Sequence, residues 1–211
     1  MAKKNKQQQK RRQQAKARKN QKRAKLAQSR RAGSDLTQIG RWPIEAAFLS
    51  DVADPRFAQA VLARRRPDGA LSIASFLLDL KCLGVKDAVF WPKSDDERLL
   101  TLLDRAESML PMSECAPEDV MKAVGVALDY AASLGLGAHP DYQKAARVFE
   151  GLDADASTIE VPTGGPDGRP HFVSGPYDDV EGILATLAER LGADGFDFTD
   201  VSDLAELLPE E

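Results

Sequence analysis

Cysteine and histidine are scarce: two of each in 211 residues. Cys82 and Cys115 are too few for a disulfide framework or a four-ligand zinc site, and two histidines exclude a mostly imidazole-built metal centre. Reduced thiols in a cytoplasmic protein are the simplest reading, with no cofactor implied. Long apolar runs are missing as well. Phe76-Leu77-Leu78 is interrupted at once by Asp79, and nothing approaches the ~18–20 apolar residues of a membrane helix, so no membrane association is expected. The basic N-terminus is not followed by the apolar stretch of a secretion signal. Leu26 is the only large apolar residue between Ala2 and Gly33, which argues against the amphipathic pattern of a mitochondrial transit peptide.

The most informative absence is of one charge. The first 33 residues contain no carboxylate, the first acid being Asp35, yet they hold 14 basic side chains. The whole chain has 29 Lys+Arg and 33 Asp+Glu, a net charge of −4. Removing the 14 leaves 15 basic and 33 acidic residues for positions 34–211, a net of −18. The average therefore conceals a +14 arm on an acidic body. At its far end, after Arg190, come seven acids and no base.

The arm is low-complexity, built from Lys, Arg, Gln, Asn and Ala, and has nothing to bury. Residues 1–33 should therefore be disordered in isolation. Their cations are Lys3, Lys4, Lys6, Lys10, Arg11, Arg12, Lys16, Arg18, Lys19, Lys22, Arg23, Lys25, Arg30 and Arg31. Such a set meets the requirement of polyanion binding, phosphate neutralisation with counterion release. Without an aromatic to stack on bases, little sequence readout is expected. RNA or a ribonucleoprotein suits a flexible arm that folds on binding. The competing accounts are a solubilising or targeting tail, or pairing in cis with the acidic C-terminus, residues 192–211.

Residues 34–191 read as a single α+β domain. Its expected core is two β-hairpins in a small mixed or antiparallel sheet, packed with about four helices. Phe57–Arg66 and Ala70–Leu80 form one hairpin around Pro67-Asp68-Gly69, three residues that each favour a turn for a different reason. The second of these strands is apolar on both faces toward its end, as in a central, doubly covered strand. A short strand, Ala88–Trp91, should end at Pro92. Trp42–Leu49 resists assignment. Ser94-Asp95-Asp96-Glu97 has the form of a capping box opening a helix to about Met109. Pro117 begins the next helix, with Val120, Val124, Leu128, Ala131 and Leu134 as its stripe and Gly135 as C-cap. A third helix is expected from Pro140 to about Glu150, and a last one over Asp179–Leu191. A second hairpin is expected between Thr158–Val161 and Pro170–Ser174, around another Pro-Asp-Gly.

Several segments of this body resemble a bacterial family of proteins without assigned function. They are Arg65-Arg66-Pro67-Asp68-Gly69, Leu78-Asp79 with Cys82-Leu83-Gly84-Val85-Lys86-Asp87, Tyr130–Gly135 with His139-Pro140-Asp141-Tyr142, Pro166–Pro170, and Gly175-Pro176-Tyr177-Asp178-Asp179. The resemblance spans most of residues 42–191 and implies no activity, cofactor or partner. The basic arm lies outside it.

For chemistry, Asp79, Lys81, Cys82, Lys86 and Asp87 form the densest polar cluster beside an apolar strand. Pro67-Asp68 followed by Asp79-Leu80-Lys81 literally fits a nuclease pattern whose two carboxylates share one Mg²⁺. An eleven-residue strand separation, at ~3.3 Å per residue, instead places the two acids ~35 Å apart. Cys82 between two lysines is a candidate low-pKa thiolate, weighed against a small buried cysteine at a strand end. His139 reads as a cap or interhelical contact and His171 as a strand surface residue. Gly164-Gly165-Pro166-Asp167-Gly168 lacks the ending of a phosphate loop, and Leu134-Gly135-Leu136-Gly137 follows a helix rather than a strand. Gly175–Asp179 opens a helix, where Asp178 and Asp179 would act as caps. Two readings emerge. One is a non-enzymatic protein docking on RNA or ribonucleoprotein through its arm, its acidic body facing a protein partner. The other is a metal-dependent nuclease or other hydrolase using Asp79, Lys81 and Asp87.

Overall fold

The computed structural model describes residues 36–53, 56–165 and 167–200. The arm, with all fourteen of its cations, lies outside the described residues, as does the acidic end from residue 201. The chain divides into two units, Met1–Ile39 and Gly40–Glu211. Of the first, only residues 36–39 are described, as the start of a 3-10 helix, Leu36–Arg41.

The second unit is α+β. Its sheet grows from the hairpin expected at Pro67-Asp68-Gly69. Strand β2 (Phe57–Arg65) and strand β3 (Leu71–Asp79) pair antiparallel over their whole length, from Phe57 opposite Asp79 to Arg65 opposite Leu71. The Gly69 amide donates to the Arg66 carbonyl at 3.0 Å, and Gly69 takes φ +81. Proline at the second turn position and a left-handed glycine after it are what such a turn requires. All but one residue of β3 is buried, so it is the doubly covered central strand its apolar run suggests.

The five-stranded sheet has the order β4-β3-β2-β1-β5 and is antiparallel throughout. Strand β1 (Ile44–Ser50) supplies the assignment missing for Trp42–Leu49, and β5 (Met112–Glu114) is a three-residue edge. Strand β4 (Gly84–Ser94) begins earlier than Ala88 and does not stop at Pro92. It is one of the two outer strands of the sheet, where a missing N–H on the open side costs no ladder bond. A register shift between Leu71↔Ser94 and Ile73↔Trp91 absorbs the proline, and the Pro92 carbonyl accepts from the Ser72 hydroxyl at 2.8 Å.

Two helices cover the sheet. Helix α1 (Asp96–Met109) is capped by Asp95, whose side chain accepts from the Arg98 amide; the cap falls one residue later than Ser94. On that side Ala46, Val61, Ala63, Leu71, Ile73 and Leu99 form a cluster flanked by Phe48, Trp91, Leu102, Leu103 and Met112. Helix α2 (Pro117–Ser133) buries Val120, Ala123, Val124, Ala127 and Ala131, while Leu128 is only half-buried. Its alanines permit close approach to Gly84. A Cβ on Gly84 would lie 2.4 Å from the Ala127 carbonyl oxygen and 2.6 Å from the Ala131 methyl, and its φ is +68. Only glycine satisfies both the backbone angle and the contact.

The C-terminal third departs most from expectation. Residues 158–163 form no strand, so the second hairpin does not exist. Strand β6 (His171–Val173) instead pairs in parallel with β7 (Asp197–Thr199), inside the stretch expected to be an acidic tail. The expected third helix is a four-residue turn, α3 (Tyr142–Ala145), continued as a 3-10 helix, Ala146–Phe149. Buried Arg64 ties the end of this segment to the sheet. Its guanidinium donates to the carbonyls of Val148 at 2.6 Å, Trp42 at 2.7 Å and Glu150 at 2.8 Å. The carbonyls at positions 148 and 150 lie at the end of the segment, where a helix leaves its last C=O groups without intrahelical donors, and Arg64 satisfies them. Helix α4 (Val180–Leu191) forms as expected, with Asp179 accepting from the Gly182 amide.

Candidate functional site

The polar cluster at the end of β3 is built around Asp79. One oxygen, Oδ1, accepts from the amides of Lys81 at 3.0 Å and Cys82 at 3.1 Å, bending the chain from β3 toward β4. The carboxylate is fully buried, and its other oxygen, Oδ2, stands 3.7 Å from Arg56 Nη2. Arg56 reaches across from the residue before β2, lies over the Phe57 ring, and donates through Nη2 to the His171 carbonyl at 2.9 Å. Burial raises the Asp79 pKa above the ordinary carboxylate value; the Arg56 charge and the two amide bonds oppose that rise without cancelling it.

Around this pair the chain is tied together by backbone. The Leu80 carbonyl accepts from the Gly164 amide at 2.9 Å, and the Lys81 carbonyl accepts from the His171 amide at 2.9 Å. Tyr130 on α2 also donates its hydroxyl to the Lys81 carbonyl, at 3.4 Å. Burial pushes its phenol up to about 12. Lys86 sits where the β3–β4 register shifts between Leu77 and Leu78, and its ammonium pairs with Asp178 at 2.6 Å. Asp178 in turn accepts from the Gly175 amide at 2.7 Å. Of the two aspartates expected as caps, only Asp179 caps the helix.

The sequence-predicted cluster is therefore only partly assembled. Asp79, Lys81 and Cys82 share one turn, but Asp87 does not join them. It is an exposed residue facing His139, with Nε2 to Oδ1 at 3.7 Å. His139 Nδ1 accepts from the Asp141 amide, so its role is close to the cap expected of it. Asp68 lies in the turn entering β3 and pairs with Lys93 at 2.7 Å and Arg66 at 3.3 Å, which hold its carboxyl down at about 2. Asp79 is the ninth residue of the strand that follows that turn, a span of roughly 30 Å at the rise of a β-strand. Asp68 and Asp79 cannot share an ion, and among the described residues no three of His, Cys, Asp and Glu converge as a metal would require.

Cys82 is a correction on electrostatic grounds. The thiol is fully buried in a cluster with Leu83, Leu134, Phe172 and Leu187. That burial, followed by the neighbouring Asp79 charge, pushes its pKa up to about 12, against the smaller opposing pull of Arg56 and Lys86. Burial and the raised pKa both argue against an activated thiolate at this position. Sequence reasoning missed Arg56, Tyr130 and Arg64. The only signal for Arg56 was indirect: an aspartate ending a largely apolar, buried strand must find a cation or hydrogen-bond donors, but nothing in the local sequence says which.

Two open clefts occur elsewhere on this unit. One, of about 530 Å³, is lined by Trp91, Lys93, Ser94, Asp95, Glu97, Arg98 and Thr101; another, of about 460 Å³, is lined by Gly135, Thr186, Glu189 and Arg190. Neither is lined by Asp79, Lys81, Cys82 or Asp87.

The fold defines an α+β protein built on an antiparallel sheet with a small parallel pair of strands beside it. No family model, curated protein or solved structure matches the chain. The resemblance carried by its motifs rests on those residues alone.

Proposed function

We propose that this chain is a non-enzymatic, cytoplasmic protein that docks on RNA or a ribonucleoprotein through Lys3–Arg31. One observation carries the reading: 14 basic residues and no acid in positions 1–33, against a net charge of −18 over positions 34–211. Each phosphate neutralised by the arm releases counterions, a gain that requires no folded groove. The acidic body repels the same polyanion, which confines contact to one end of the molecule and leaves the body facing a protein partner. The clefts of the body mix Lys93 and Arg98 with Asp95 and Glu97, or Arg190 with Glu189, and present no cationic track.

The test is binding of single-stranded RNA to the full-length chain across a salt series. If the arm makes six to ten phosphate contacts, affinity for a single strand should fall by about 300-fold to about 10⁴-fold between ~50 and ~200 mM salt. Deleting residues 1–33 should abolish binding, and equal affinity in the truncated protein would end the proposal. Sequencing RNA crosslinked to the full-length and truncated proteins would identify the target. For the hydrolase reading, Asp79 and Asp87 engage different partners, Arg56 and His139. That reading requires RNA or DNA cleavage in Mg²⁺ or Mn²⁺ that is lost in Asp79→Asn.

A further inference from the structure

Among the described residues, two side-chain polar atoms are fully buried without a hydrogen-bond partner: Arg56 Nε and Asp79 Oδ2. They belong to the same ion pair. Its closest approach, 3.7 Å between Nη2 and Oδ2, is well beyond the ~2.7–2.9 Å of a direct charge-assisted bond. Each partner is already engaged elsewhere: Nη2 donates to the His171 carbonyl, and Oδ1 accepts from the Lys81 and Cys82 amides. Leaving a buried donor and a buried acceptor both unmet costs far more than bridging them.

We infer that Arg56 Nε and Asp79 Oδ2 form a binding site for one water molecule, which accepts from Nε–H and donates to Oδ2. One donor and one acceptor are the complement of a water, and two protein partners are the minimum that holds a buried one. The site selects a small neutral group able to give and take a proton bond. A chloride cannot donate to Oδ2, and a sodium ion cannot accept from Nε–H. The bridged water completes the join between the start of β2, the end of β3 and the segment at His171. Lys86, Cys82 and Tyr130 are the other ionisable groups close enough to interact with Asp79.

The test is water-to-amide magnetisation transfer in the ¹⁵N-labelled full-length protein. The expected result is a cross-peak from water to Arg56 Nε–H with the sign of a long-lived bound molecule, together with peaks at the Lys81 and Cys82 amides. Cys82→Ala and Tyr130→Phe remove the nearby thiol and hydroxyl that could relay water magnetisation, and the Arg56 peak should persist in both. Loss of that peak in either variant would overturn the assignment. So would its absence from the unmodified protein, or a through-bond coupling from Arg56 Nε to the Asp79 carboxyl carbon, which would show a direct contact.

Discussion

Asp68 and Asp79 bracket β3, one in the turn that enters the strand and the other at its last position, and each has cationic neighbours. Asp68 is exposed, shared between Lys93 and Arg66, and held at about 2. Asp79 is fully buried, faces Arg56 across 3.7 Å, and has a raised pKa. The same side chain thus acts as a solvated counterion at one end of a hairpin and as the organiser of a buried turn at the other. Burial outweighs Arg56 at Asp79 because the lost hydration of a carboxylate exceeds what one imperfectly placed cation returns. The glycines differ in the same sense. Gly69 has open space where a side chain would go, whereas Gly84 is pressed against α2.

The contrast is broken most severely at the glycines. Gly84→Ala adds a left-handed conformation at about 1–2 kcal/mol and overpacking against Ala127 and Ala131 at about 1–3 kcal/mol. Gly69→Ala incurs only the first of these. In urea unfolding, Gly84→Ala should lose about 4 kcal/mol and Gly69→Ala about 1 kcal/mol. Equal losses would show that α2 does not press on Gly84.

Truncating the aspartates should have the next largest effect. Asp79→Ala leaves two buried amides and Arg56 uncompensated, a loss of about 3 kcal/mol, at the lower end for a broken buried pair because Arg56 is partly solvated. Asp68→Ala removes an exposed ion pair and should lie much closer to the unmodified protein. The smallest effect, with opposite signs at the two sites, concerns pH. Asp79 has a folded pKa above its ordinary value of 3.8, so the folded state binds more protons in that window. Its contribution to stability is greatest below 3.8 and declines as pH rises through the folded value. Asp68, depressed to about 2 from 3.8, contributes above 3.8, and that contribution disappears as pH falls toward 2. Asp79→Asn and Asp68→Asn should therefore alter the unfolding-versus-pH slope in opposite directions. Slopes of the same sign would mean that Asp79 is not desolvated as its burial implies.

The Pro67-Asp68-Gly69 hairpin, the doubly covered β3, both long helices and the final helix were legible in the chain because local rules decide them. These are turn chemistry, apolar periodicity and capping, all acting within a few residues. The failures share a different origin. The same Pro-Asp-Gly triplet at 166–168 signalled a hairpin, yet His171–Val173 takes Asp197–Thr199 as its partner. A turn motif favours a local reversal and cannot guarantee that its flanks will pair with each other. Pro92 reads as a strand breaker until β4 is known to be an edge.

What the sequence determined alone is the division of charge, a +14 arm on a −18 body, because charge is additive and needs no coordinates. It also placed an acid at the end of an apolar strand. Only tertiary structure decided what that acid does. It buried Asp79, drew Arg56 to it across the sheet end and sent Asp87 to His139. It also turned Cys82 from a candidate nucleophile into core. Distances and desolvation set those outcomes, and neither exists until distant segments pack together.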